Sequence, residues 1–590
     1  MTGIPGELGQ CLRREIKGDV LLDDFSRGRY STDASIYQLM PLGVVIPKDD
    51  HDVEVAVQIA AEAGIPVLPR GSGTSQNGQA IGEALLIDST RHLNKILDFK
   101  PEAQTISVQP GLVLDHLNRF LKPHGMFYPV DVSTANRATL GGMTGNNSCG
   151  ARSIRYGNMV HNVRAVEALL ADGSQVHFGK LNGSMPQPAV PEQLLSSLLS
   201  LGQREAQEIA ARFPDLLRRV GGYNINVLTE EQPNLGQLLV GSEGTLGFFQ
   251  RLHLEVQPLP SHKVLGVCHF PTFYAAMDST QHIVKLGPAA VELVDRTMID
   301  LARDIPIFAP TVNRFVQGEP QALLLVEFAG ADRAEQLQSL QQLVELMGDL
   351  GFPNAVVEAT DHEFQHAVWE VRKSGLNIMM SMKGDGKPVS FIEDCAVRLE
   401  DLAEYTRRLT EIFEKHGTSG TFYAHASVGC LHVRPILNMK EQEGASKMRA
   451  IVEETLEVVR EYKGSHSGEH GDGISRSEFH EAMFGARMVK NFEEVKQLFD
   501  PGGTFNPGKI VNPHKMDDRQ IMRFQPGYGP IAIDTQLDWS AWQGFDRAVE
   551  MCNNNGACRK AQVGTMCPSY RVTGDEQHLP RGRANTLRLA

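Results

Sequence analysis

Three runs of small residues constrain this chain more than any other feature. The first is Pro69-Arg70-Gly71-Ser72-Gly73-Thr74-Ser75-Gln76-Asn77-Gly78. The second is Ser133-Thr134-Ala135-Asn136-Arg137-Ala138-Thr139-Leu140-Gly141-Gly142-Met143-Thr144-Gly145-Asn146-Asn147-Ser148-Cys149-Gly150, and the third is Gly241-Ser242-Glu243-Gly244-Thr245-Leu246-Gly247. Backbone this bare can curl so that consecutive N–H groups converge on an anion. It can also lie close against a flat ligand. The first run is neither a dinucleotide fingerprint nor a Walker loop, because its third glycine falls at the wrong spacing and no helix follows. By itself it reads best as a solvated turn. Three such runs in one segment do not.

The segment around them alternates strand and helix. Val44–Pro47, Ile65–Leu68, Leu85–Ile87, Thr105–Val108 and Asn162–Leu170 read as strands, and Asp50–Ala63 and Gly111–Lys122 as helices. The texture changes near Pro258–Pro260. Beyond it Ala331–Leu350, Asp401–Lys415 and Lys440–Tyr462 are strongly helical and Val356–Val357 is a strand. Asp500–Gly508 is turn-rich and looks like the return of the chain, Lys515–Leu537 reads as a linker, and Asp546–Ala590 as a small cysteine-bearing tail.

At 590 residues the chain needs more than one core. The expected division is residues 1–260, 261–515 and 516–590. A formal net charge of -14 argues against nucleic acid as a partner, since no basic surplus exists to neutralise phosphates. The cysteines are scattered and do not form a secreted disulfide framework. No apolar run reaches the roughly 18 to 20 residues needed to cross a bilayer, and the start has no apolar signal core. A cytoplasmic protein is expected, with peripheral membrane contact through a partner left open.

Two further stretches carry chemistry. Tyr423-Ala424-His425-Ala426-Ser427-Val428-Gly429-Cys430-Leu431-His432 holds two histidines at an odd separation, which puts them on opposite faces of a straight strand. A turn at Ser427–Gly429 brings them back together. Gly464-Ser465-His466-Ser467-Gly468-Glu469-His470-Gly471-Asp472-Gly473 adds a carboxylate and imidazoles on flexible backbone. Two His and one Glu suit Zn or Mn with positions left open. Spacing alone favours coincidence.

Together these runs resemble the FAD-binding domain of the vanillyl-alcohol oxidase and p-cresol methylhydroxylase superfamily, in its D-lactate and D-2-hydroxyglutarate dehydrogenase (glycolate oxidase subunit-like) branch. The resemblance implies an α+β fold: a two-subdomain FAD-binding domain, an α+β substrate domain with an antiparallel sheet, and a small helical ferredoxin-like tail. It implies that Arg70, Gly71, Ser72, Gly73, Thr74 and Ser75 wrap the pyrophosphate. Ser133, Thr139, Gly142, Asn146 and Gly150 would line the flavin, with Glu243, Gly244, Leu246 and Asn506 close to it. Thr74 stands where some relatives attach FAD through a histidine, so the flavin should be non-covalent. His425, His432 and Glu469 would hold the divalent metal, and His470 would be the general base. Val368-Trp369-Glu370-Val371-Arg372 resembles the family's Trp-x-x-Arg segment, which makes Arg372 the expected clamp for the substrate carboxylate.

Oxidation of an α-carbon needs these types. The hydroxyl proton must leave with the hydride, a cation on the hydroxyl lowers its pKa, and an imidazole titrating near neutrality can take the proton. A small 2-hydroxy acid (D-lactate, D-2-hydroxyglutarate or glycolate) is the implied substrate. An electron-acceptor protein or a quinone is the implied partner, and a homo-oligomer is compatible with the family. A flavin oxidase of another alcohol or sugar, and a non-catalytic FAD electron-transfer subunit, stay open as alternatives.

The chain departs from the family's pattern in the substrate region. Ser427-Val428-Gly429-Cys430 replaces Gly-Asp-Gly-Asn, Arg434 stands for an Asn, and Ile392 for a Lys. In the tail, Cys552, Cys558 and Cys567-Pro568 resemble the start of a fused iron–sulfur module, though with three thiolates rather than the four a [4Fe–4S] cluster takes; a zinc knuckle or a vestige of such a module stays open as the alternative.

Overall fold

The computed structural model describes residues 3–181, 189–531, 533–560 and 567–589. Near the N-terminus a four-stranded sheet runs in the order Asp19–Leu21, Gly43–Ile46, Leu85–Asp88, Val67–Arg70. Its last three strands are parallel and the first joins antiparallel. Parallel neighbours need a crossover, and helix Asp50–Glu62 supplies one. Asp49 caps that helix by accepting from the Asp52 N–H. The first small-residue run leaves the C-terminal end of Val67–Arg70, the end where ligands gather in parallel sheets.

A five-stranded antiparallel sheet follows, in the order Ile96–Lys100, Thr105–Val108, Phe248–Glu255, Val163–Leu169, Gln175–Phe178. The second run enters the short helix Leu140–Gly145, capped by Thr139. The third run feeds the strand Phe248–Glu255. The long helix Glu192–Arg212 shares this sheet's core through Leu194, Leu198 and Leu201.

The largest sheet has seven strands, all antiparallel: Val356–Ala359, His262–Phe270, Ala322–Gly330, Ala290–Asp295, Gly420–His425, Cys430–Leu437 and Lys387–Pro388 in spatial order. Both faces are buried. Along Ala322–Gly330, Leu324 and Val326 join the core beneath helices Leu402–Lys415 and Gln442–Glu461, whereas Leu323 and Leu325 join the core beneath Arg296–Arg303 and His362–Lys373. A strand covered on both sides reads as one apolar run without alternation. That is why the sequence reading found the helices here and overlooked most of the strands.

Arg152, two residues after the second run, fastens the flavin-side sheets to this large one. Its Nε and Nη2 donate to the two oxygens of Glu327, each at 2.7 Å, and Nη1 donates to Asp131 at 2.5 Å. The guanidinium also lies over the Trp369 ring, 5.2 Å from its centroid. Burial pushes the Glu327 carboxyl up, but the Arg152 and Lys263 charges outweigh it and hold the group down at about 2, against an ordinary 4.5. A carboxyl lowered in the folded state stabilises above its unfolded pKa and loses that contribution as pH falls through the folded one. Glu327→Gln should therefore cost about 3 kcal/mol at neutral pH, with the deficit shrinking as pH falls from 4.5 towards 2. Thermal unfolding of both proteins at pH 7 and pH 3 tests this. A deficit independent of pH would mean that the charge is not what stabilises.

Candidate active site

One open cavity of about 1130 Å³ collects all three small-residue runs. Arg70, Gly71, Ser72, Gly73, Thr74, Ser75, Ser133, Thr139, Gly142, Asn146, Glu243 and Gly244 lie on its wall, and so do Glu469 and His470 from the second half of the chain. Gly150, Leu246 and Asn506 do not. Leu246 is in the core beneath. Gly150 is packed so tightly that a Cβ would sit 2.3 Å from the Asp131 carbonyl oxygen. Asn506 works through backbone: its amide donates to the carbonyls of Gln79 at 3.0 Å and Glu243 at 2.7 Å, tying the returning chain to the first and third runs.

The glycines are spatial requirements. A Cβ on Gly71 would lie 2.2 Å from Thr139 Oγ1, so the first two runs touch there. Gly73 has φ +62° and sits against Arg70, whose Nη2 would be 2.3 Å from a Cβ. Arg70 itself donates to the carbonyls of Tyr30, Thr32 and Ala80 at 3.0, 3.0 and 2.7 Å. Its guanidinium thus braces the loop rather than reaching along the cavity. From the tail, Arg559 and Arg581 donate to the Ser72 carbonyl at 3.1 and 3.0 Å, and Arg581 also to that of Gly73 at 3.3 Å. In a trans peptide the C=O and the N–H point opposite ways. Drawing these carbonyls toward the tail turns the Gly73 and Thr74 N–H groups to the other side, where an anion can meet them.

The two histidines converge by strand register. In the hairpin of Gly420–His425 and Cys430–Leu437, His432 stands opposite Tyr423, and His425 lies two residues along from Tyr423. All three therefore share one face. Gly429, at φ +67° in the connecting turn, supplies the reversal expected at Ser427–Gly429. Glu469 completes the group: one ligand atom each from His425, His432 and Glu469 lies within 4.8 Å of the others, and all three residues are buried. Glu469 Oε2 is 2.9 Å from His425 Nε2 and 3.5 Å from His432 Nε2. His425 turns its other nitrogen to Glu292, 2.7 Å away. A carboxylate behind a ligand histidine fixes the tautomer that leaves Nε2 free for a metal. The donor set suits a divalent cation on these grounds.

Glu292, Glu393, Asp394 and Arg218 were missed as functional residues by sequence reasoning. Glu292 also accepts from Arg372 Nη2 at 2.5 Å, and the Arg372 guanidinium lies over the Tyr423 ring. Arg372, the expected carboxylate clamp, is thus engaged behind His425 and is not on the cavity wall. Glu393 faces His470 Nδ1 at 2.9 Å and is paired on its far side with the fully buried Arg434. Asp394 accepts from the Glu469 and His470 N–H groups at 2.8 and 2.5 Å and is balanced by Arg476. Arg218 donates to Glu469 at 3.2 Å. Only proximity in space unites these groups, and the sequence carries no spacing that announces them.

Charge is distributed accordingly. Burial pulls the His432 imidazole well below its usual range, against the pull of Glu469. Burial acts the same way on His470, but Glu393 outweighs it and raises the group above its ordinary value. The Nε2 of His470 is 3.2 Å from the Gln76 amide nitrogen of the first run and 3.8 Å from Glu469 Oε1.

The family models match where these walls lie: an FAD binding domain over residues 41–179, and the C-terminal domain of FAD linked oxidases over residues 259–510. The chain thus carries an FAD binding domain and the C-terminal domain of FAD linked oxidases. It is 32% identical over 592 residues to a D-2-hydroxyglutarate dehydrogenase of Pantoea ananatis, covering 97% of this chain and 57% of that protein. It is 27% identical to glycolate oxidase subunit GlcD of Bacillus subtilis, covering 85% of this chain and 95% of that one. Among solved structures, p-cresol methylhydroxylase matches with a TM-score of 0.62 at 14% identity, over 86% of this chain and 96% of that one, which shows the shared fold. The chain spans a little under three fifths of the D-2-hydroxyglutarate dehydrogenases it matches.

The tail lies directly on the first loop. Cys558 and Cys567 are buried together with Leu579, and Cys552 lies on the wall of a neighbouring cavity. Among the described residues the three thiols do not meet around a single ion. Residues 561–566, between Cys558 and Cys567, lie outside the described part. Two changes test the loop. Gly71→Ala should abolish FAD retention, and Arg581→Ala should weaken FAD roughly tenfold, about 1.4 kcal/mol, read by fluorescence titration of the apoprotein. Equal affinity in Arg581→Ala would show that the tail does not shape the loop.

Proposed function

We propose that this chain oxidises a D-2-hydroxy acid to the 2-oxo acid, with non-covalent FAD in the large cavity and Zn or Mn on His425, His432 and Glu469. One observation carries the reading: a single cavity is lined both by the flavin-type loops and by Glu469 and His470. FAD, when bound, supplies the two-electron acceptor. A divalent cation on the His/His/Glu set would favour ionisation of the substrate hydroxyl. His470 takes the hydroxyl proton at Nε2, while Glu393 at 2.9 Å holds the opposite nitrogen and stabilises the resulting imidazolium. Arg218 and Asp394 hold Glu469 and the loop backbone in place. Arg372, on this reading, acts through Glu292 on His425, and another cation meets the substrate carboxylate. The relatives' names support the substrate class, a 2-hydroxy acid.

The same reading gives the three parts of the chain, residues 1–260, 261–515 and 516–590, distinct duties. The tail's Cys552, Cys558 and Cys567 would supply three ligands of a [4Fe–4S] cluster beside the flavin loop and pass electrons to an acceptor protein or quinone. No helix among the described residues is long and apolar enough to cross a membrane.

Flavin absorbance followed during addition of paired D- and L-2-hydroxy acids is the decisive measurement. Bleaching by the D-acids alone is expected. His470→Ala should slow it roughly a thousandfold while keeping FAD bound and reducible by dithionite. Dialysis against a chelator should remove the metal, read by elemental analysis, and stop bleaching. Full bleaching by metal-free protein would overturn the metal assignment.

A further inference from the structure

The loop that carries Glu469 and His470 also carries a second group of metal-ligand types. His466 and Asp472 stand either side of that pair in the chain, and His480 follows at the start of helix His480–Phe484. One ligand atom from each of the three lies within 4.8 Å of the others, and all three residues are buried. None of them lines the open cavity, and the chemistry proposed above uses none of them.

Their hydrogen bonds do not close. His480 Nδ1 faces the Ile510 carbonyl at 3.1 Å, so that nitrogen carries the proton. Its Nε2 then presents a lone pair, yet it faces Asp472 Oδ2 at 2.8 Å. Two lone pairs that close need a positive centre beside them, a second proton or a metal ion. His466 favours the ion. It is 1% exposed, and neither of its nitrogens has a hydrogen bond among the described residues, nor has Asp472 Oδ1. His466 Nε2 and Asp472 Oδ1 lie 3.4 Å apart. That is long for a hydrogen bond. It is close to the spacing of two ligands on one tetrahedral zinc, roughly 3.3 Å for bonds of about 2.0 Å. A second proton on His480 leaves both atoms unanswered in a buried place, whereas an ion answers both. Burial also brings the His466 imidazole down to about 3, against the pull of Asp472, so at neutral pH it is in the uncharged form that binds metals.

The surroundings are those of a closed structural site. Asp472 Oδ2 accepts from the Gly222 N–H at 2.7 Å, which orients the carboxylate. Gly221 makes room: a Cβ there would stand 2.7 Å from His466 Cε1 and 3.2 Å from Asp472 Oδ1. The Phe484 ring lies 5.6 Å from that of His466 and 5.8 Å from that of His480, and Phe492 lies 5.7 Å from His480. The nearby cation Arg476 is paired with Asp394. With both carboxylate oxygens, the three residues can offer four donor atoms, a set that suits zinc.

We propose that His466, Asp472 and His480 hold a second divalent ion, of the zinc class, whose role is structural. It pins the loop bearing Glu469 and His470, on both sides of that pair, to helix His480–Phe484. Being enclosed, the site loads as the chain folds, and a chelator that strips an ion from the open cavity leaves this one in place. The inference does not depend on the dehydrogenase reading.

Crystals of protein produced with zinc, measured above and below the zinc absorption edge, test it. An anomalous peak bonded to His466, Asp472 and His480 is expected. No peak there overturns the proposal, whether or not His425, His432 and Glu469 hold an ion, and means that His480 carries the second proton instead. Elemental analysis after dialysis against a chelator gives an independent reading. His432→Ala should keep zinc, and His432→Ala/His480→Gln should lose it. Zinc-free His432→Ala, or a double variant that keeps as much zinc, overturns the assignment. Should either variant fail to fold, the crystal decides alone.

Discussion

The loop Glu469–Gly473 is gripped from both halves of the molecule, and the geometry of the site follows from that grip. From the flavin side, the Glu243 carboxylate accepts from the Asp472 N–H at 2.6 Å and the Gly473 N–H at 3.0 Å. Gln79 donates to the His470 carbonyl at 2.5 Å and Asn77 to that of Gly471 at 2.8 Å. From the substrate side, Asp394 takes the N–H groups of Glu469 and His470. Donors and acceptors on both flanks are thereby satisfied in a buried place where an unmade hydrogen bond costs roughly 1–3 kcal/mol. The result is a short stretch whose backbone cannot shift without breaking contacts to two domains. Glu243 adopts φ +54° to reach it, a conformation unfavourable for a non-glycine residue and tolerated where its surroundings over-determine it.

Glycine explains why this junction can close at all. A Cβ at Gly468 would stand 2.5 Å from the Asp394 carbonyl oxygen, and one at Gly471 the same distance from a Glu243 oxygen. The spacing of small residues in the sequence is thus an imprint of backbone approaching backbone. That imprint is why the flavin loops and the loop bearing Glu469 and His470 could be singled out from residues alone. The histidine pair was legible too, because a turn between two strands is the only simple way to reconcile an odd separation with a shared face. What the sequence hides is the supporting layer. Glu292 lies in a strand buried on both sides, Glu393 and Asp394 in an irregular segment, and Arg218 between a helix and a turn. Each matters through one neighbour far along the chain, and such pairings leave no periodic trace. Arg372 illustrates the other limit: its position in a motif was readable, but its partner Glu292 was not.

Buried charge is arranged here in cancelling pairs. Arg372 faces Glu292, Arg434 faces Glu393, Arg476 faces Asp394 and Arg218 faces Glu469. Each cation is almost fully enclosed, so each carboxylate is the condition for its presence rather than a surplus contact. The arrangement orients imidazoles with fixed dipoles instead of mobile water, which is how a site positions a proton acceptor at little reorganisation. It also withdraws four arginines from any substrate. A carboxylate-bearing ligand must look elsewhere for its counter-ion.

Arg434 and Ile392 make sense as one coupled arrangement. The charge of Arg434 is matched by Glu393, fully buried beside it. A lysine in place of Ile392 would then face an environment with no acid to spare. Ile392 is 2% exposed and packs into the core under the large sheet. Desolvating an ammonium there without a partner would cost several kcal/mol, so an apolar residue at 392 and a cation at 434 belong together. The Arg434 guanidinium also reaches Gln76 and anchors the amide that stands beside His470. Altering one position of this set without the others would leave a buried charge uncompensated, which is why the pocket is read from the pairing rather than from any single residue.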